Sequence, residues 1–400
     1  MNAAEKLDPS KQHAISLVEA VSFDEESQIA SRRVDGRWLC AWLSTGHDHR
    51  AWDVFLESTP LGHFQQSSAW ARVKAEDGWE TLRVLVREED GGAIRAGFQI
   101  LKKRTRVGGV AYISKGPVIP AGPLEEELRA FVTEQVVSCV RDHGIAALIA
   151  QPPDDDVATT PSLSRLGFSA LGLSMVIEST LVVDLAKKDP EWRKDLRKTT
   201  ANQVRKAVKK GVTVRVATAA DLPVFFDLMS ETCRRQNTSP SPASLSAVER
   251  LWAAFHDRGM LRISFAEFES QPLATVLLLK FGERVTLWKK GWNSKLPNHH
   301  PNDLVNHEAM EWSERVGARF FDFAAMDPDI TRSVLANEPL RPDQMATRYF
   351  FLMGFGGSPR MLPPAQIYLR NPILRRMFPV VRPALVAFER WKDRRAQRRK

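Results

Sequence analysis

The chain has 400 residues, of which 43% are hydrophobic and 26% are charged, and its formal net charge is +9. This length and composition indicate two to three domains with a sizeable core, and they exclude a disordered polymer, a fibrous repeat and a disulfide-stapled miniature. The three cysteines, Cys40, Cys139 and Cys233, lie far apart and form no C-x-x-C pair, so neither a disulfide framework nor a metal site is predicted.

Residues 1–50 are polar and without clear periodicity, which predicts an appended, partly flexible segment. Their first residues lack the apolar run of a secretory signal. The longest aliphatic run, Leu273 to Leu279, is far shorter than the roughly 20 residues that span a bilayer. We therefore expect a cytoplasmic protein, and contact with the inner face of the membrane stays open.

A first α/β unit is predicted over residues 51–185. It consists of a hairpin, a third strand, a helix and a buried strand, and these elements are Leu82–Val86, Gly97–Leu101, Val110–Ile113, Leu124–His143 and Ile145–Ala150. Gly144 follows the helix directly. A glycine at this position is typical of a helix end, because it adopts the left-handed conformation without steric cost.

The same order of elements recurs over residues 186–370 and predicts a second copy of the unit. Its elements are Leu261–Phe265, Leu273–Lys280, Val285–Trp288, Asp303–Val316 and Arg319–Phe323. The helix of this copy is followed by Gly317, which lies 173 residues after Gly144. We infer an internal duplication, with two tandem modules of mixed-sheet α/β architecture.

Two basic segments carry most of the net charge. The segment from Arg193 to Lys210 holds eight Lys/Arg against Asp195, and residues 192–210 are predicted to form a helix with one apolar and one basic side. The basic side is either a solvated surface or a site for the phosphates of RNA, a nucleotide diphosphate or an acidic lipid. Its candidate anion-binding residues are Arg197, Lys198, Arg205 and Lys206.

The C-terminal tail, residues 371–400, holds ten Lys/Arg against Glu389 and Asp393. Apolar residues at helical spacing among the arginines predict an amphipathic basic helix. Three roles remain open for it: lying on an anionic membrane, following an RNA backbone, or keeping the chain soluble.

Five short motifs, in this order, resemble those of the Fem aminoacyltransferase family, whose members have two tandem GNAT-like domains and attach amino acids to peptidoglycan precursors. The motifs are Phe64-Gln65-Gln66-Ser67-Ser68-Ala69-Trp70-Ala71-Arg72-Val73-Lys74, Val110-Ala111-Tyr112-Ile113-Ser114-Lys115-Gly116-Pro117-Val118, Thr180-Leu181-Val182-Val183-Asp184-Leu185, Asn302-Asp303-Leu304 through Phe321-Asp322-Phe323, and Gly354-Phe355-Gly356-Gly357. The resemblance covers about residues 55–375 and implies a tandem GNAT-like fold and an acyltransferase activity.

The resemblance also assigns substrate-binding residues, and one position departs from the family. Trp70, Lys74, Tyr112 and Lys115 match family positions that contact the acceptor. The family's lysine before the last glycine-rich motif is replaced here by Leu352, and a hydrocarbon cannot stabilise an oxyanion. This departure fits a divergent relative.

Acyl transfer to an amine needs a positioned nucleophile, donors for the oxyanion and a proton acceptor. In GNAT-like folds the oxyanion donors are largely backbone N–H groups, which leave no trace in the sequence. The glycine-rich pyrophosphate loop of many coenzyme A enzymes precedes neither predicted helix. The donor therefore stays open between an acyl-CoA and an aminoacyl-tRNA, and no bound cofactor is expected.

The second unit holds the other candidates. Asp322 and His307 are predicted as catalytic residues, with a salt-bridging aspartate and a structural histidine as the alternatives. Trp288, Lys290 and Asn306 are predicted to bind substrate. The paired His299 and His300 have no further ligand at metal spacing, so a polar loop is favoured over a metal site.

Taken together, these patterns predict an acyltransferase that acts on an amine of a cell-envelope precursor, either peptidoglycan or polysaccharide, as a monomer. Its basic segments would meet tRNA or an anionic membrane. The alternative is a catalytically inactive relative that acts as a peripheral RNA- or membrane-binding adaptor, which the loss of the family lysine favours and the polar cluster around Asp322 disfavours.

Overall fold

The computed structural model describes residues 26–88, 92–106, 108–173, 176–187 and 191–397, with side chains to residue 387. The strands are β1 Glu26–Val34, β2 Arg37–Ser44, β3 Glu80–Glu88, β4 Ile94–Thr105, β5 Gly108–Ser114, β6 Ile145–Gln151, β7 Ser169–Ala170, β8 Ser179–Asp184, β9 Thr213–Val216, β10 Leu261–Phe268, β11 Gln271–Phe281, β12 Arg284–Trp292, β13 Phe320–Ala325, β14 Ser358–Met361 and β15 Gln366–Leu369. The α-helices are α1 Arg50–Ser58, α2 Ser68–Ala75, α3 Glu125–Asp142, α4 Thr159–Arg165, α5 Lys198–Lys209, α6 Leu222–Arg235, α7 Leu245–Phe255, α8 Pro301–Arg315, α9 Pro328–Leu335, α10 Pro342–Met345, α11 Arg348–Leu352 and α12 Pro372–Gln397. No helix in these ranges is long and apolar enough to cross a membrane.

The described strands form two mixed sheets with matching strand orders. The first sheet runs β1-β2-β3-β4-β5-β6-β15-β7 and the second runs β14-β8-β13-β12-β11-β10-β9. Apart from β1, each strand of the first sheet has a counterpart in the second, and β5–β6 and β12–β13 are parallel pairs. The duplication and the predicted hairpins, helices and strands of both units are confirmed. Gly144 and Gly317 have φ values of 66° and 74°, as the helix-end prediction requires.

The two units exchange strands, which corrects the predicted domain boundaries. β8 belongs by sequence to the predicted first domain but lies in the second sheet, between β13 and β14. β15 belongs by sequence to the predicted second domain but lies in the first sheet, between β6 and β7. A boundary at residue 185 therefore separates β8 from the second sheet, to which it belongs, and a boundary at residue 370 separates β15 from the first sheet. Sequence order could not reveal this exchange, because pairing depends on which edge the chain reaches.

The prediction of an appended N-terminal segment is wrong for residues 26–44. These residues form β1 and β2, and β2 pairs along β3 from Leu39↔Glu88 to Ser44↔Arg83. Glu26 of β1 accepts hydrogen bonds from Arg87 and lies 2.7 Å from His49 Nε2, so the hairpin is fixed by charge as well as by pairing. Residues 1–25 of the predicted segment lie outside the described residues.

An apolar core joins the units. Trp52, Phe64 and Trp70 of the first unit pack with Phe255 and other buried residues of the second, and the Phe64 and Phe255 rings lie edge to face at 6.4 Å. Each large side chain buried in this way contributes about 1.5–3 kcal/mol to stability. Because the cluster draws on both units, their relative orientation is part of the core.

The basic segment is shorter as a helix than predicted. Residues Trp192–Asp195 form a 3₁₀ turn, and the α-helix, α5, begins only at Lys198. Arg197, at the N-cap, has extended ψ, which separates the two helical pieces. The α-helix then ends at Lys209, as the amphipathic pattern predicts.

Candidate active site

The first-unit cleft, of about 520 Å³, lies between α2 and β5. The four residues that the resemblance assigned to the acceptor, Trp70, Lys74, Tyr112 and Lys115, all line it. The ring of Tyr112 lies 5.4 Å from that of Trp79, and the Lys74 ammonium lies 5.1 Å from the Trp70 ring. The cleft therefore offers aromatic walls and two cations, a combination that suits a ring-bearing, anionic molecule.

Local hydrogen bonds hold the walls of this first-unit cleft in place. Ser67 caps α2 by accepting a hydrogen bond from the Trp70 N–H at 3.2 Å. Gln66, the preceding residue, donates to the Ser114 carbonyl at 2.8 Å and accepts from the Gln99 N–H at 2.7 Å. Since both partners belong to the sheet, the start of α2 is fixed to β4 and β5.

Lys115 begins a chain of buried charges that crosses from one unit to the other. Its ammonium donates to Asp154, which also accepts from Arg284 Nη1 at 2.7 Å. The same Arg284 nitrogen donates to Asp322 at 2.9 Å, and Thr180 donates to the other oxygen of Asp322. Asp154 follows β6 in the first unit, whereas Arg284 and Asp322 belong to the second.

The charges in this chain shift one another's pKa values. Burial pushes the pKa of Asp154 upward, but Lys115 and Arg284 outweigh burial and hold the pKa well below its usual range. Burial followed by the charge of Lys115 lowers the pKa of the neighbouring His63 to about 3. The pKa of Arg284 is raised, because Asp322 and Asp154 outweigh its burial. At neutral pH His63 is therefore neutral, and Asp154 and Arg284 are ions.

Asp322 does not lie in an open cleft, which corrects its predicted catalytic role. Only 4% of its surface is exposed, and its oxygens accept from Arg284, Thr180 and the Ala324 N–H. A carboxylate with these partners cannot reach a substrate amine. Asp322 is the salt-bridging aspartate of the alternative interpretation, and its ion pair holds the Arg284 side chain in place.

The second-unit cleft, of about 350 Å³, lies between β12, α8 and α11. Lys290 and Asn306, both predicted to bind substrate, line it together with Asp303, His300 and Arg348. Burial, followed by the charge of Arg348, lowers the pKa of Lys290 to about 8. Burial raises the pKa of Asp303 to about 7. Both groups therefore change charge near neutral pH.

Several polar atoms of this second-unit cleft make no hydrogen bond to any described residue. They are Asp303 Oδ1, Asn306 Oδ1 and Trp292 Nε1, all buried. Leaving a buried polar atom unpaired costs about 1–3 kcal/mol, so such a group is typical of a site that a ligand completes. The sequence patterns did not indicate Asp303 or Arg348 as site residues. For Asp303 the reason is that an aspartate at the start of a helix ordinarily acts as a cap.

The central parallel strands separate at this second-unit cleft. The pairing of β12 with β13 ends at Thr286↔Asp322, although β12 continues to Trp292. In the first unit β5 and β6 stay paired to the end of β5, at Ser114↔Gln151. The backbone of residues 287–292 therefore has no ladder partner on the β13 side, and within it the Trp292 N–H donates to Thr232 Oγ1 at 2.8 Å.

Two further predicted site residues lie elsewhere, which corrects both predictions. The His307 ring packs 5.6 Å from Trp192, and its Nδ1 lies 3.8 Å from Glu311, so it faces a packed surface of α8 and is the structural histidine. Trp288 forms a bulge in β12 and packs edge to face on Trp70 at 5.8 Å. Both side chains are used in packing and do not line either cleft.

The basic side of α5 lies near the second-unit cleft. Lys198, Arg205 and Lys206 are exposed, and Lys210 donates to the Asn298 carbonyl at 2.8 Å. Burial, then the charges of Lys206 and Lys210, lowers the pKa of His300, which lines the cleft. Arg197 differs, because its guanidinium stacks 3.9 Å over the Phe350 ring and donates to the Phe350 carbonyl.

Leu352, at the position of the family lysine, is 2% exposed and belongs to the core of the second unit. Arg348 and Phe351 of the same helix reach the cleft instead. Within the described ranges no three His, Cys, Asp or Glu residues are grouped as metal ligands.

Comparisons with known proteins agree with this architecture. The family model "Acetyltransferase (GNAT) domain" matches residues 194–329, in the second unit. The UDP-N-acetylmuramoylpentapeptide-lysine N(6)-alanyltransferase of Weissella viridescens is 25% identical over 296 residues, which are 70% of this chain and 84% of that protein. A lipid II:glycine glycyltransferase of Staphylococcus epidermidis is 27% identical over 272 residues, 64% of this chain and 63% of that protein.

A solved structure shows the same fold. The crystal structure of FemX superposes with a TM-score of 0.69 at 18% sequence identity, and the match covers 88% of this chain and all of that one. The predicted tandem GNAT-like architecture is confirmed, and the sequence relatives are named as transferases.

Proposed function

We propose that this chain, which has the tandem GNAT-like fold and is similar to proteins named as alanyl- and glycyltransferases, transfers an acyl or aminoacyl group to an amine on a peptidoglycan or polysaccharide precursor. The observation that carries the proposal is the separation of β12 from β13 beside the second-unit cleft. Backbone N–H groups of a strand that has lost its ladder partner are suited to stabilise the oxyanion of an acyl-transfer transition state, a contribution of about 3–4 kcal/mol per donor.

The acyl donor occupies the second-unit cleft in this proposal. Acyl-CoA and aminoacyl-tRNA both carry phosphates and a reactive carbonyl in the same molecule, and the exposed cations of α5, including Lys206, lie near His300 at the cleft. Arg348 adds a further cation. These charges support a phosphate-bearing donor without distinguishing the two classes.

The acceptor occupies the first-unit cleft. Lys74 supplies positive charge for a phosphate or carboxylate, and Trp70 and Tyr112 supply aromatic surface for a sugar or base. Lys115 lines the same cleft while its ammonium is paired with Asp154. Trp70 also packs on Trp288 of β12, so this cleft adjoins the strand that supplies the oxyanion donors. The relatives' printed names support a cell-wall precursor as the acceptor class.

The reaction needs a proton acceptor, and Asp303 is our candidate. The amine nitrogen forms a bond to the carbonyl carbon, the bond from that carbon to the ester oxygen or thioester sulfur breaks, and the leaving group takes up a proton. A carboxylate with a pKa of about 7 accepts the proton of the attacking amine efficiently at neutral pH. The Lys290 ammonium nearby balances charge at the tetrahedral stage.

The inactive-adaptor alternative gains no support from the comparisons, because the relatives are named as transferases. Although Leu352 stands at the position of the family lysine, the second-unit cleft still has cationic side chains, because Arg348 and Lys290 line it.

The test is a transfer assay with the full chain. An acyl-CoA or a charged tRNA is supplied with a UDP-linked muropeptide, and mass spectrometry follows the acceptor. A mass increase equal to the acyl group, formed with one donor class, supports the proposal and identifies the donor. No transfer from either donor, to this acceptor or to its lipid-linked form, contradicts it.

A further inference from the structure

The C-terminal helix α12 is attached to the first unit through its arginines. Asn371 caps the helix by accepting from the N–H groups of Ile373 and Leu374. Arg375 stacks 4.6 Å over the Tyr368 ring, and Arg382 donates to the Ala170 carbonyl at 3.0 Å. These contacts turn one cationic side of the helix toward the edge of the first sheet, at β15 and β7.

The opposite side of α12 is apolar and faces solvent. Ile373 and Val380 are 71% and 74% exposed, Met377 is 51% exposed, and Leu385 is 44% exposed. Ile373, Met377, Val380 and Ala384 repeat at intervals of three and four, so these four residues form one stripe along the helix, and Leu385 lies to one side of it. The same spacing continues in the sequence at Phe388 and Trp391.

This orientation is the reverse of the usual one for a helix on a soluble domain. A surface helix normally packs its apolar side on the core and exposes its charges. Here Arg375 and Arg382 donate to backbone carbonyls of the body and the aliphatic stripe points outward, over a length of roughly 17 Å from Ile373 to Ala384 at 1.5 Å per residue. A contiguous exposed apolar surface of this kind marks a binding surface.

The charges beside the apolar stripe indicate which kind of partner binds there. Residues 371–400 hold ten Lys/Arg against two acidic residues, and exposed Arg376 lies beside the apolar stripe. An apolar face bordered by cations suits the boundary between the headgroups and acyl chains of an anionic bilayer. An RNA backbone would instead require a row of outward-facing cations. Of the three arginines in α12 whose side chains the structure describes, Arg375 and Arg382 are engaged with the body, and Arg376 is exposed.

We propose that α12 is a membrane-surface anchor that lies flat on an anionic bilayer, with Ile373, Met377 and Val380 inserted below the headgroups. The proposal goes beyond the transfer reaction, because binding requires neither donor nor acceptor. It places the first unit next to the lipid surface.

Vesicle co-sedimentation of the full chain tests the anchor. Sucrose-loaded vesicles are prepared from phosphatidylcholine alone and from an equimolar mixture of phosphatidylcholine and phosphatidylglycerol. The protein is expected to sediment with the mixed vesicles, weakly with the neutral ones, and less at high salt because screening weakens the charge attraction. The double variant Ile373→Asp/Val380→Asp is expected to bind at least about tenfold more weakly, since two buried aliphatic side chains are lost.

The matched control is the double variant Val216→Asp/Leu335→Asp, which places the same two charges on residues of the second unit that are 49% and 56% exposed. It should bind like the parent chain, and unchanged melting temperatures show that all variants fold. Equal binding by the double variant and the parent overturns the proposal. So does a concentration-dependent dimer that the double variant abolishes, or RNA binding that competes equally with both vesicle types. Transfer to a soluble acceptor should be unchanged in the double variant, so the anchor and the reaction fail or succeed independently.

Discussion

Arg284 Nη1 lies 2.7 Å from Asp154 Oδ2, and this contact joins the second unit to the first. Asp154 is also bound by Lys115, which lines the first-unit cleft, and Arg284 by Asp322 at the last paired position of β13. The acceptor cleft and the point where β12 and β13 separate are thus connected by consecutive ion pairs. Their relative position is set by charge as well as by the shared apolar core.

The substitution Asp154→Asn should destabilise the fold strongly. It leaves Lys115 and Arg284 with less compensation in a buried setting, where breaking a pair costs about 3–5 kcal/mol. Urea unfolding measures the loss. The control is Asp155→Asn, since Asp155 is 60% exposed at its side chain and forms its ion pair with the partly exposed Arg360 at 3.3 Å. The control substitution should lower the free energy of unfolding by less than about 1 kcal/mol. Equal losses in the two variants would contradict a larger contribution from the buried ion pairs.

His63 should make the fold sensitive to acid. Its pKa is lowered to about 3 in the folded chain by burial and Lys115, whereas an unfolded histidine titrates near 6.5. The unfolded state therefore binds more protons between these values, so stability falls as the pH drops from about 6.5 toward 3. His63→Gln should flatten this part of a pH series of urea midpoints. His256→Gln, at a histidine whose side chain is 42% exposed, should leave the slope unchanged.

Asp303 should oppose stability at neutral and alkaline pH. Because burial raises its pKa to about 7, the folded state holds a proton that the unfolded state releases near pH 4, and stability decreases as the pH rises between these values. Asp303→Asn should be more stable than the parent at pH 8 and similar at low pH. Asp257→Asn, at a side chain that is 90% exposed, is the control.

The same substitution separates structure from catalysis. If Asp303 accepts the proton of the amine, Asp303→Asn lowers kcat by about 10²–10⁴-fold and removes the rise of kcat through pH 7. A variant that is more stable yet far less active, with a flat pH profile, is the expected outcome. Retention of the parent's pH profile would exclude Asp303 as the base.

Lys74 should contribute to acceptor binding without taking part in the reaction. Lys74→Met removes one cation from the first-unit cleft, and Asp77 keeps its partner Arg250 at 3.0 Å. We expect KM for an anionic acceptor to rise about tenfold, the equivalent of one modest ion pair, at nearly constant kcat. Lys187→Met, on a side chain that is 41% exposed, serves as the control. A fall in kcat alone would argue against a binding role.

The duplicated pattern of strands and helices could be predicted because hydrophobic periodicity and helix-ending glycines are local properties. The two units and their glycines at 144 and 317 follow from such signals. The residues around the first-unit cleft were identified by resemblance, and the structure brings Trp70, Lys74, Tyr112 and Lys115 together. The roles of Asp322 and His307 were wrong, because the sequence does not state what a side chain faces.

What the sequence determined by itself is therefore the repeated module, its helix ends, the basic segments and the class of fold. Only the tertiary structure decided that β8 and β15 change sheets, that Asp154 meets Arg284, and that α12 turns its arginines inward. The physical reason is that periodicity fixes which side of an element is apolar, whereas strand exchange, ion pairing and the direction of a helix face depend on contacts between residues far apart in the chain. Those contacts form only when the whole molecule has folded.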